Sequence, residues 1–394
     1  MQTSRERHDI FSLPSWRKLM LFGVLSCLLA GFSLNPAVPP TKTPDSLHYL
    51  DAATRVATKG EYGDDYLLWP PLYPTILAPG VALGLEDDFG YLNFFLLAST
   101  ILISMLLAHL LGAGSILAAL AGVSVGFSSP TRMIFGTLWS ETLFLPLTLA
   151  WLLNWSRYLA RYKDADLAWA CIFMGLCLLT RHVSVTLVGT MLATLLWRCR
   201  HKLSWNSLLK PLAAIGLSMA PYLLWLWRTY IVSGTLTGPR PPQFLPFETL
   251  LLGLPSTLSH WLLPSIYLTG RDPWAITVSV GLILIPFFAA IRILHSNDQA
   301  HTLAHKKSGC PDELALTSLV FIAGYFGFLV WAVRSTYLEV PRDRYLAPVF
   351  VPLLLLILFA SRHWEAKIGL RSERLAHALR ATGLAWLLAE IILP

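Results

Sequence analysis

Residues 89–110 read FGYLNFFLLASTILISMLLAHL, an uninterrupted run without Asp, Glu, Lys or Arg. About 20 consecutive apolar residues suffice for an α-helix to cross the hydrocarbon core of a bilayer. Comparable runs recur along the chain. The strands of an outer-membrane barrel would alternate in polarity instead. The stretch therefore predicts a membrane-spanning helix and indicates a polytopic helical membrane protein.

The overall composition supports the same class. Of the 394 residues, 55% are hydrophobic and only 13% are charged, with a mean hydropathy of +0.57. Soluble domains are about a quarter charged, so this chain has too few charges to coat a soluble surface. The composition excludes a disordered chain, a secreted disulfide scaffold and a single-span anchor. We expect an all-α fold of about ten or eleven transmembrane helices, forming one domain over residues 1–394.

Hydropathy and charge together predict the topology. The expected spans are 18–35, 89–110, 113–128, 138–158, 167–181, 183–198, 208–231, 273–293, 314–333 and 345–361, with a weaker one at 376–393. The broken apolar stretch 249–268 is expected to re-enter or lie on the membrane, within an outer loop at 232–272. With the N-terminus in the cytoplasm, most of the 30 Lys and Arg residues fall inside, as the positive-inside rule requires. This accounts for the net charge of +7 without nucleic acid. We expect a location in the inner (plasma) membrane.

The longest polar stretch between spans is the first outer loop, residues 36–88. Thr43-Pro44 is a helix start, with an N-cap hydroxyl before a proline at the first helical position. Gly60 is expected to end this helix, and residues 75–85 to form a second interfacial helix. The first helix is expected to lie on the membrane through an apolar stripe formed by Leu47, Leu50, Ala53 and Val56. Loops of this length usually carry function.

Asp45 falls in the first turn of that helix, where the helix dipole favours a carboxylate. Beside His48 and Tyr49, it is a candidate general base or cation ligand. The alternative is that Asp45 only caps the helix.

Glu141 stands at the outer end of an apolar span. Carboxylates at membrane depth are expensive and are functional by default. Either Arg132 or Arg181 is the expected partner, and a purely structural ion pair is the alternative.

Several arginines are expected on the same outer face: Arg181, Arg228, Arg240, Arg334, Arg342 and Arg344. Guanidinium groups bind phosphate bidentately, so a phosphate-bearing ligand is the simplest explanation, and snorkelling to lipid headgroups is the alternative. The chain has no Walker loop, dinucleotide fingerprint, HExxH or nucleophile elbow.

Several short motifs in order resemble the GT-C class of polyprenyl-phosphate-sugar-dependent glycosyltransferases, in its ArnT-like, protein-mannosyltransferase-like and Rgt-type branch. They are PDSLHY at 44–49, WPPLYP at 69–74, SETLF at 140–144, LTR at 179–181, PYLLW at 221–225 and RYLAP at 344–348. One departure is Leu68-Trp69, where the aminoarabinose-transferase relatives carry a charged pair.

The resemblance implies an inverting enzyme that moves a single sugar from a polyprenyl-phosphate donor to an acceptor hydroxyl at the outer membrane face. Asp45 would be the general base, and Glu141 a second acidic residue that shapes the acceptor or metal site. The acceptor is a lipid, a glycan or a protein. No cofactor is assigned, and a divalent metal is left open because no Asp-x-Asp pair adjoins Asp45. The residues expected to bind substrate are His48, Tyr49, Tyr73, Arg132, Arg181, Arg342 and Arg344.

Two other functions compete with the glycosyltransferase. One is a secondary transporter or flippase of a lipid-linked or anionic substrate. Transporters usually show inverted repeats and broken helices at the midplane, whereas the polar groups here stand at the outer ends of spans. The other is a non-catalytic scaffold of an envelope-assembly complex.

Overall fold

The computed structural model of the protein describes residues 15–200, 205–240, 281, 284, 287–292, 310–335 and 343–369. Within these ranges the regular elements are helices, and an isolated β-bridge joins Thr41 to Thr137. Residues 287–292 are helical. The other α-helices are numbered α1 to α12 and span, in order, Trp16–Ser33, Pro44–Lys59, Leu72–Ala82, Phe89–Leu110, Ser115–Phe127, Ser129–Phe135, Glu141–Arg161, Asp164–Leu178, Val185–Cys199, Trp205–Ser233, Cys310–Ser335 and Asp343–Gly369.

Six helical stretches of the described residues are long and apolar enough to cross a membrane: Trp16–Ser33, Glu86–Leu110, His182–Cys199, Leu208–Ser233, Cys310–Val333 and Arg344–His363. The chain is therefore an integral membrane protein. The predicted total of ten or eleven spans is not fixed by these residues, since α5 and α8 have only 13 and 15 residues. The segments 249–268 and 376–393, and most of 273–293, lie outside the described residues.

Helix α7 lies at the centre of the bundle. It packs against α4, α8 and α11, and its side chains are buried on nearly all faces. The indoles of Trp151 and Trp155 are completely buried. A helix that is apolar all round belongs in an interior. Its first residue, Glu141, is consequently enclosed by protein.

The predicted helix of the first outer loop is present as α2. Its N-cap is Thr43, which exchanges hydrogen bonds with Ser46 in a capping box. Its C-cap, Gly60, has a φ of 71°, a left-handed conformation that glycine adopts without a steric cost. The local signals in the sequence therefore fix both ends of this helix.

The face that α2 buries against the protein shares only Ala53 with the stripe predicted to lie on the membrane, and that membrane contact stays a prediction. Leu47 is 59% exposed, and the buried residues of the helix are Ser46, Tyr49, Ala52 and Ala53. On the buried side, Ser46 Oγ donates a hydrogen bond to the carbonyl of Leu138, just before α7, at 2.9 Å.

The second helix of the loop, α3, begins three residues before the predicted 75–85. Its N-cap is Pro71, and Tyr73 in its first turn is completely buried. Helices α2 and α3 pack against each other over a small apolar core that includes Tyr66, Leu77 and Trp225. This core fixes the first loop on the ends of the long helices.

A short strap joins the start of α2 to the start of α7. Thr41 donates to the Gly136 carbonyl at 2.9 Å and accepts from the Leu138 amide at 3.0 Å. Asn93 Nδ2 donates to the Phe135 carbonyl at 2.8 Å, which holds the segment before α7 from the other side. The two helix N-termini are thereby held side by side.

Candidate functional site

The N-terminal ends of three helices meet at one point. Asp45 lies in the first turn of α2, Glu141 begins α7, and Arg344 is the second residue of α12. Arg344 Nη2 lies 2.6 Å from Asp45 Oδ2, and its Nε donates to Glu141 Oε1. One guanidinium thus links the two carboxylates that the sequence singles out, each from a different helix.

Glu141 is the most enclosed member of this group, with 1% of its side chain exposed. Arg181 Nη1 forms an ion pair with the same Oε1 and donates to Ser140 Oγ at 3.3 Å. Of the two partners predicted for Glu141, Arg181 is therefore confirmed. Arg132 is exposed on α6 and does not reach the carboxylate. A buried carboxylate between two guanidiniums fixes both cations in place.

Trp139 supports this arrangement. The guanidinium of Arg344 lies over its indole ring, 4.3 Å from the centroid, in the geometry of a cation–π contact. The indole Nε1 donates to Thr43 Oγ1 at 2.8 Å. Thr43 is the N-cap of the helix that carries Asp45. A single side chain therefore contacts both Arg344 and the start of α2.

A cavity of about 300 Å³ opens beside these groups. Its wall includes the charged side chains of Asp45, Arg181, Arg240 and Arg344. Much of the remaining wall is apolar, and it comes from Leu68, Trp69 and Pro70 of the first loop, Val185 of α9, and Phe328, Leu329, Trp331 and Ala332 of α11. The cavity therefore matches a ligand with an anionic head and an apolar tail.

His182 and Arg240 are two polar side chains of the wall that hydrogen bonds hold in place. His182, in the turn between α8 and α9, places its Nδ1 2.9 Å from the Tyr222 hydroxyl. Arg240 follows α10 and donates from Nη2 to the Leu68 carbonyl at 2.8 Å. Burial, reinforced by the nearby charge of Arg181, lowers the pKa of the Arg240 guanidinium.

The other residues predicted to bind substrate lie around the site. Tyr49 is buried and its hydroxyl lies 3.1 Å from Ser140 Oγ; burial and the charge of Glu141 raise its pKa. Tyr73 is completely buried against Tyr49, and His48 is exposed, with its ring 5.2 Å from that of Trp69. These three side chains are not part of the cavity wall. Arg342 lies outside the described residues.

Some cavity residues carry no signal in the sequence that would single them out. Tyr325 lies within an apolar span, and its hydroxyl donates to the Tyr345 carbonyl at 2.7 Å. Tyr222 also lies within a span, in α10. Aromatic residues at such positions are common in membrane helices, and only the packing of α8, α10 and α11 shows that these two reach the cavity.

The described part of the chain contains no group of three or more His, Cys, Asp or Glu side chains that could hold a metal ion. Asp45 and Glu141 are each engaged by a guanidinium, so they are not arranged as a pair of cation ligands. The residues that the structure describes therefore do not fit a bound metal.

No family model and no curated protein matches the chain. Solved structures do. The apo crystal structure of ArnT from Cupriavidus metallidurans aligns with a TM-score of 0.57 and 16% identity, over 89% of this chain and 61% of that one. The crystal structure of that ArnT bound to undecaprenyl phosphate aligns with a TM-score of 0.54 and 14% identity, over 87% and 60%.

The chain spans about three fifths of the length of the ArnT chains that it matches. At this level of identity the likeness shows a shared fold. ArnT is a GT-C glycosyltransferase, so the fold expected from the sequence motifs is confirmed.

Proposed function

Since the chain has the fold of ArnT, we propose that it is a membrane glycosyltransferase that moves a single sugar from a polyprenyl-phosphate donor to an acceptor hydroxyl. The observation that carries this proposal is the cavity in which arginines and Asp45 adjoin an apolar wall. A polyprenyl phosphate has the two matching parts, a phosphate and a long apolar chain. The solved ArnT bound to undecaprenyl phosphate supports this choice of ligand class.

Asp45 is the general base in this proposal. Its Oδ2 pairs with Arg344, and within the described residues no hydrogen bond reaches Oδ1, which is left for the acceptor. Oδ1 accepts the proton of the acceptor hydroxyl as the hydroxyl oxygen attacks the anomeric carbon. The bond from that carbon to the phosphate oxygen breaks on the opposite face. The configuration inverts, and the polyprenyl phosphate departs with the bonding electron pair.

The arginines of the cavity wall serve the leaving group. Charge accumulates on the phosphate as the glycosidic bond breaks, and fixed guanidinium groups stabilise it in a site from which water is partly excluded. Glu141 acts indirectly, by holding Arg181 and Arg344 in position. It is a positioning residue in this scheme.

The proposed side of the membrane follows from the basic residues. Helices α7, α9 and α12 each run from the cavity end of the bundle toward arginines at their other ends, such as Arg161, Arg198 and Arg362. Basic residues collect on the cytoplasmic side. We therefore assign the cavity to the extracytoplasmic side of the inner membrane, with the N-terminus in the cytoplasm.

The test is transfer by the purified protein in lipid nanodiscs. Undecaprenyl-phosphate-linked hexoses and pentoses are supplied one at a time with an extract of envelope lipids and glycans, and release of undecaprenyl phosphate is measured by mass spectrometry. We expect release with one of the donors. Asp45→Asn should lower that rate by about 10²- to 10⁴-fold.

The matched control is Asp51→Asn. Asp51 lies on the same helix, is 59% exposed, and pairs with Arg55 at 3.0 Å outside the cavity wall. We expect the Asp51→Asn variant to release undecaprenyl phosphate at a rate within about twofold of the wild type. A rate retained by Asp45→Asn would remove the role assigned to Asp45, and a protein inactive with every donor would argue against the proposed function.

A further inference from the structure

A second cleft, of about 410 Å³, lies between α7 and α8 toward the other side of the membrane. Arg157 in its wall is about 24 Å along α7 from Glu141, at a rise of 1.5 Å per residue. In the topology assigned above, the cleft is therefore at the level of the cytoplasmic leaflet. The wall consists of Asn154 and Arg157 from α7 and of Ala165, Asp166, Trp169 and Phe173 from α8.

The cleft is bordered by apolar side chains on the outside of the bundle. Helix α8 packs against α7 and α10, and its Trp169 and Ile172 are 52% and 48% exposed. Exposed apolar side chains of a membrane helix bundle contact lipid, and Trp is typical of the level of the headgroups. The rings of Trp169 and Phe173 are stacked, with centroids 5.8 Å apart and planes at 26°. Among the described residues, the cleft is thus open to lipid and has an aromatic side.

The polar side of the cleft is an ion pair whose hydrogen-bonding capacity is not fully used. Arg157 Nη2 lies 3.3 Å from Asp166 Oδ1, and the two side chains are 17% and 7% exposed. Within the described part of the chain, Arg157 Nε and Asp166 Oδ2 have no hydrogen-bond partner. Charged groups at membrane depth are costly unless they are paired and hydrogen-bonded. The pair is therefore stabilised by a ligand that supplies both an acceptor and a donor.

We propose that this cleft binds a phospholipid whose headgroup carries a primary ammonium beside the phosphate, namely phosphatidylethanolamine. Phosphate oxygens accept hydrogen bonds from Arg157, and the ammonium donates to Asp166. An acyl chain lies along the rings of Trp169 and Phe173. A headgroup with both charges provides each member of the ion pair with a partner, so neither charge is left uncompensated. An anionic headgroup would instead bring a second negative charge beside Asp166.

The lipid preference of the wild type is the first test. The full-length protein in detergent micelles is titrated with phosphatidylethanolamine, phosphatidylcholine and phosphatidylglycerol of the same acyl chains, and bound lipid is counted by native mass spectrometry. Phosphatidylethanolamine should bind about 3- to 10-fold more tightly than phosphatidylcholine, because the methyl groups of choline replace the N–H donors. It should also bind more tightly than phosphatidylglycerol, which has no cation. Equal binding of the three lipids would overturn the proposal.

Two variants separate the two polar contacts. Asp166→Asn removes the charge that attracts the ammonium, and should reduce the preference for phosphatidylethanolamine over phosphatidylcholine to within about twofold. Arg157→Gln should weaken both lipids alike, by about tenfold, because both carry the phosphate. A preference that survives both substitutions would place the lipid on another surface and refute the assignment. No sugar donor is present, so the outcome is independent of the proposed function.

Asp164→Asn is the matched control. Asp164 is in the first turn of the same helix, is 73% exposed and pairs with Lys210 at 2.5 Å, but it does not line the cleft. This variant should keep the wild-type preference. Loss of the preference in Asp164→Asn as well would show that surface charge at the start of α8 is the cause, and would contradict the assignment.

Trp169→Ala tests the cleft without altering a charge. Since Trp169 is 52% exposed, its replacement should leave the fold intact even if a charge variant does not fold. It should weaken all three lipids by about threefold or more, through lost apolar contact, with the preference for phosphatidylethanolamine retained. Unchanged binding of all three lipids would show that they do not occupy the cleft.

Discussion

Replacement of Glu141 by Gln should lower the unfolding free energy of the protein, because it removes the carboxylate that Arg181 and Arg344 share. The Glu141 side chain is 1% exposed, and the two arginine side chains are 17% and 16% exposed. Loss of one partner of a buried ion pair costs about 3–5 kcal/mol. Arg344 keeps Asp45 as a partner, so we expect the lower end, about 3 kcal/mol of the unfolding free energy.

A double-mutant cycle isolates the interaction. Glu141→Gln, Arg181→Gln and the double variant are compared by reversible unfolding in mixed micelles, followed by circular dichroism. The second substitution should cost less in the background of the first, with a coupling free energy of about 1–3 kcal/mol. A coupling below about 0.5 kcal/mol would refute the claim that Glu141 holds the arginine.

Glu313→Gln separates stability from activity. The Glu313 side chain is 4% exposed, and its Oε1 lies 3.4 Å from Arg198 Nε, near the cytoplasmic ends assigned to α9 and α11. Its loss should also destabilise the protein, whereas the rate of sugar transfer should fall only in Glu141→Gln. Equal transfer rates in the two variants would contradict the positioning role of Glu141.

Three other predictions follow from the site and its supports. Arg344→Lys should lower the rate of sugar transfer by about tenfold or more, because a single ammonium lacks the planar fork that reaches both carboxylates. A wild-type rate would argue against a role for the contact of Arg344 with Asp45 and Glu141. Trp139→Phe should lower the unfolding free energy by about 1 kcal/mol in chemical denaturation, since Thr43 loses a hydrogen-bond donor; an unchanged value would show that this bond is dispensable. Gly90→Ala should lower the melting temperature in a thermal-shift assay, because its Cβ would overlap the Pro36 carbonyl oxygen; an unaltered temperature would contradict this close packing.

The sequence predicts those parts of the fold that depend on local signals. The bounds of α2 follow from Thr43, Pro44 and Gly60, and those of α4 from a run free of Asp, Glu, Lys and Arg. The start of α3 is misplaced because Pro71 begins the helix where the proline-rich stretch suggests a continuing break. Helix caps depend on residues within one turn of the helix end, so they can be predicted from the local sequence.

The partners within the site are less predictable. Arg344 and Glu141 are 203 positions apart, and nothing near either residue in the sequence indicates their contact. Arg132 is nine residues from Glu141, but the short helix α6 carries it to an exposed position. The contact between the His182 ring and the Tyr222 hydroxyl likewise joins residues that are 40 positions apart in the chain.

The most direct test of the central claim is a cryo-electron microscopy structure of the protein in nanodiscs with undecaprenyl phosphate. We predict density for the phosphate in the cavity, beside the arginines of its wall and close to Asp45. The prenyl chain should follow the apolar wall of α9 and α11. Lipid density on another surface, with the cavity free of phosphate at a saturating concentration of the lipid, would contradict the account.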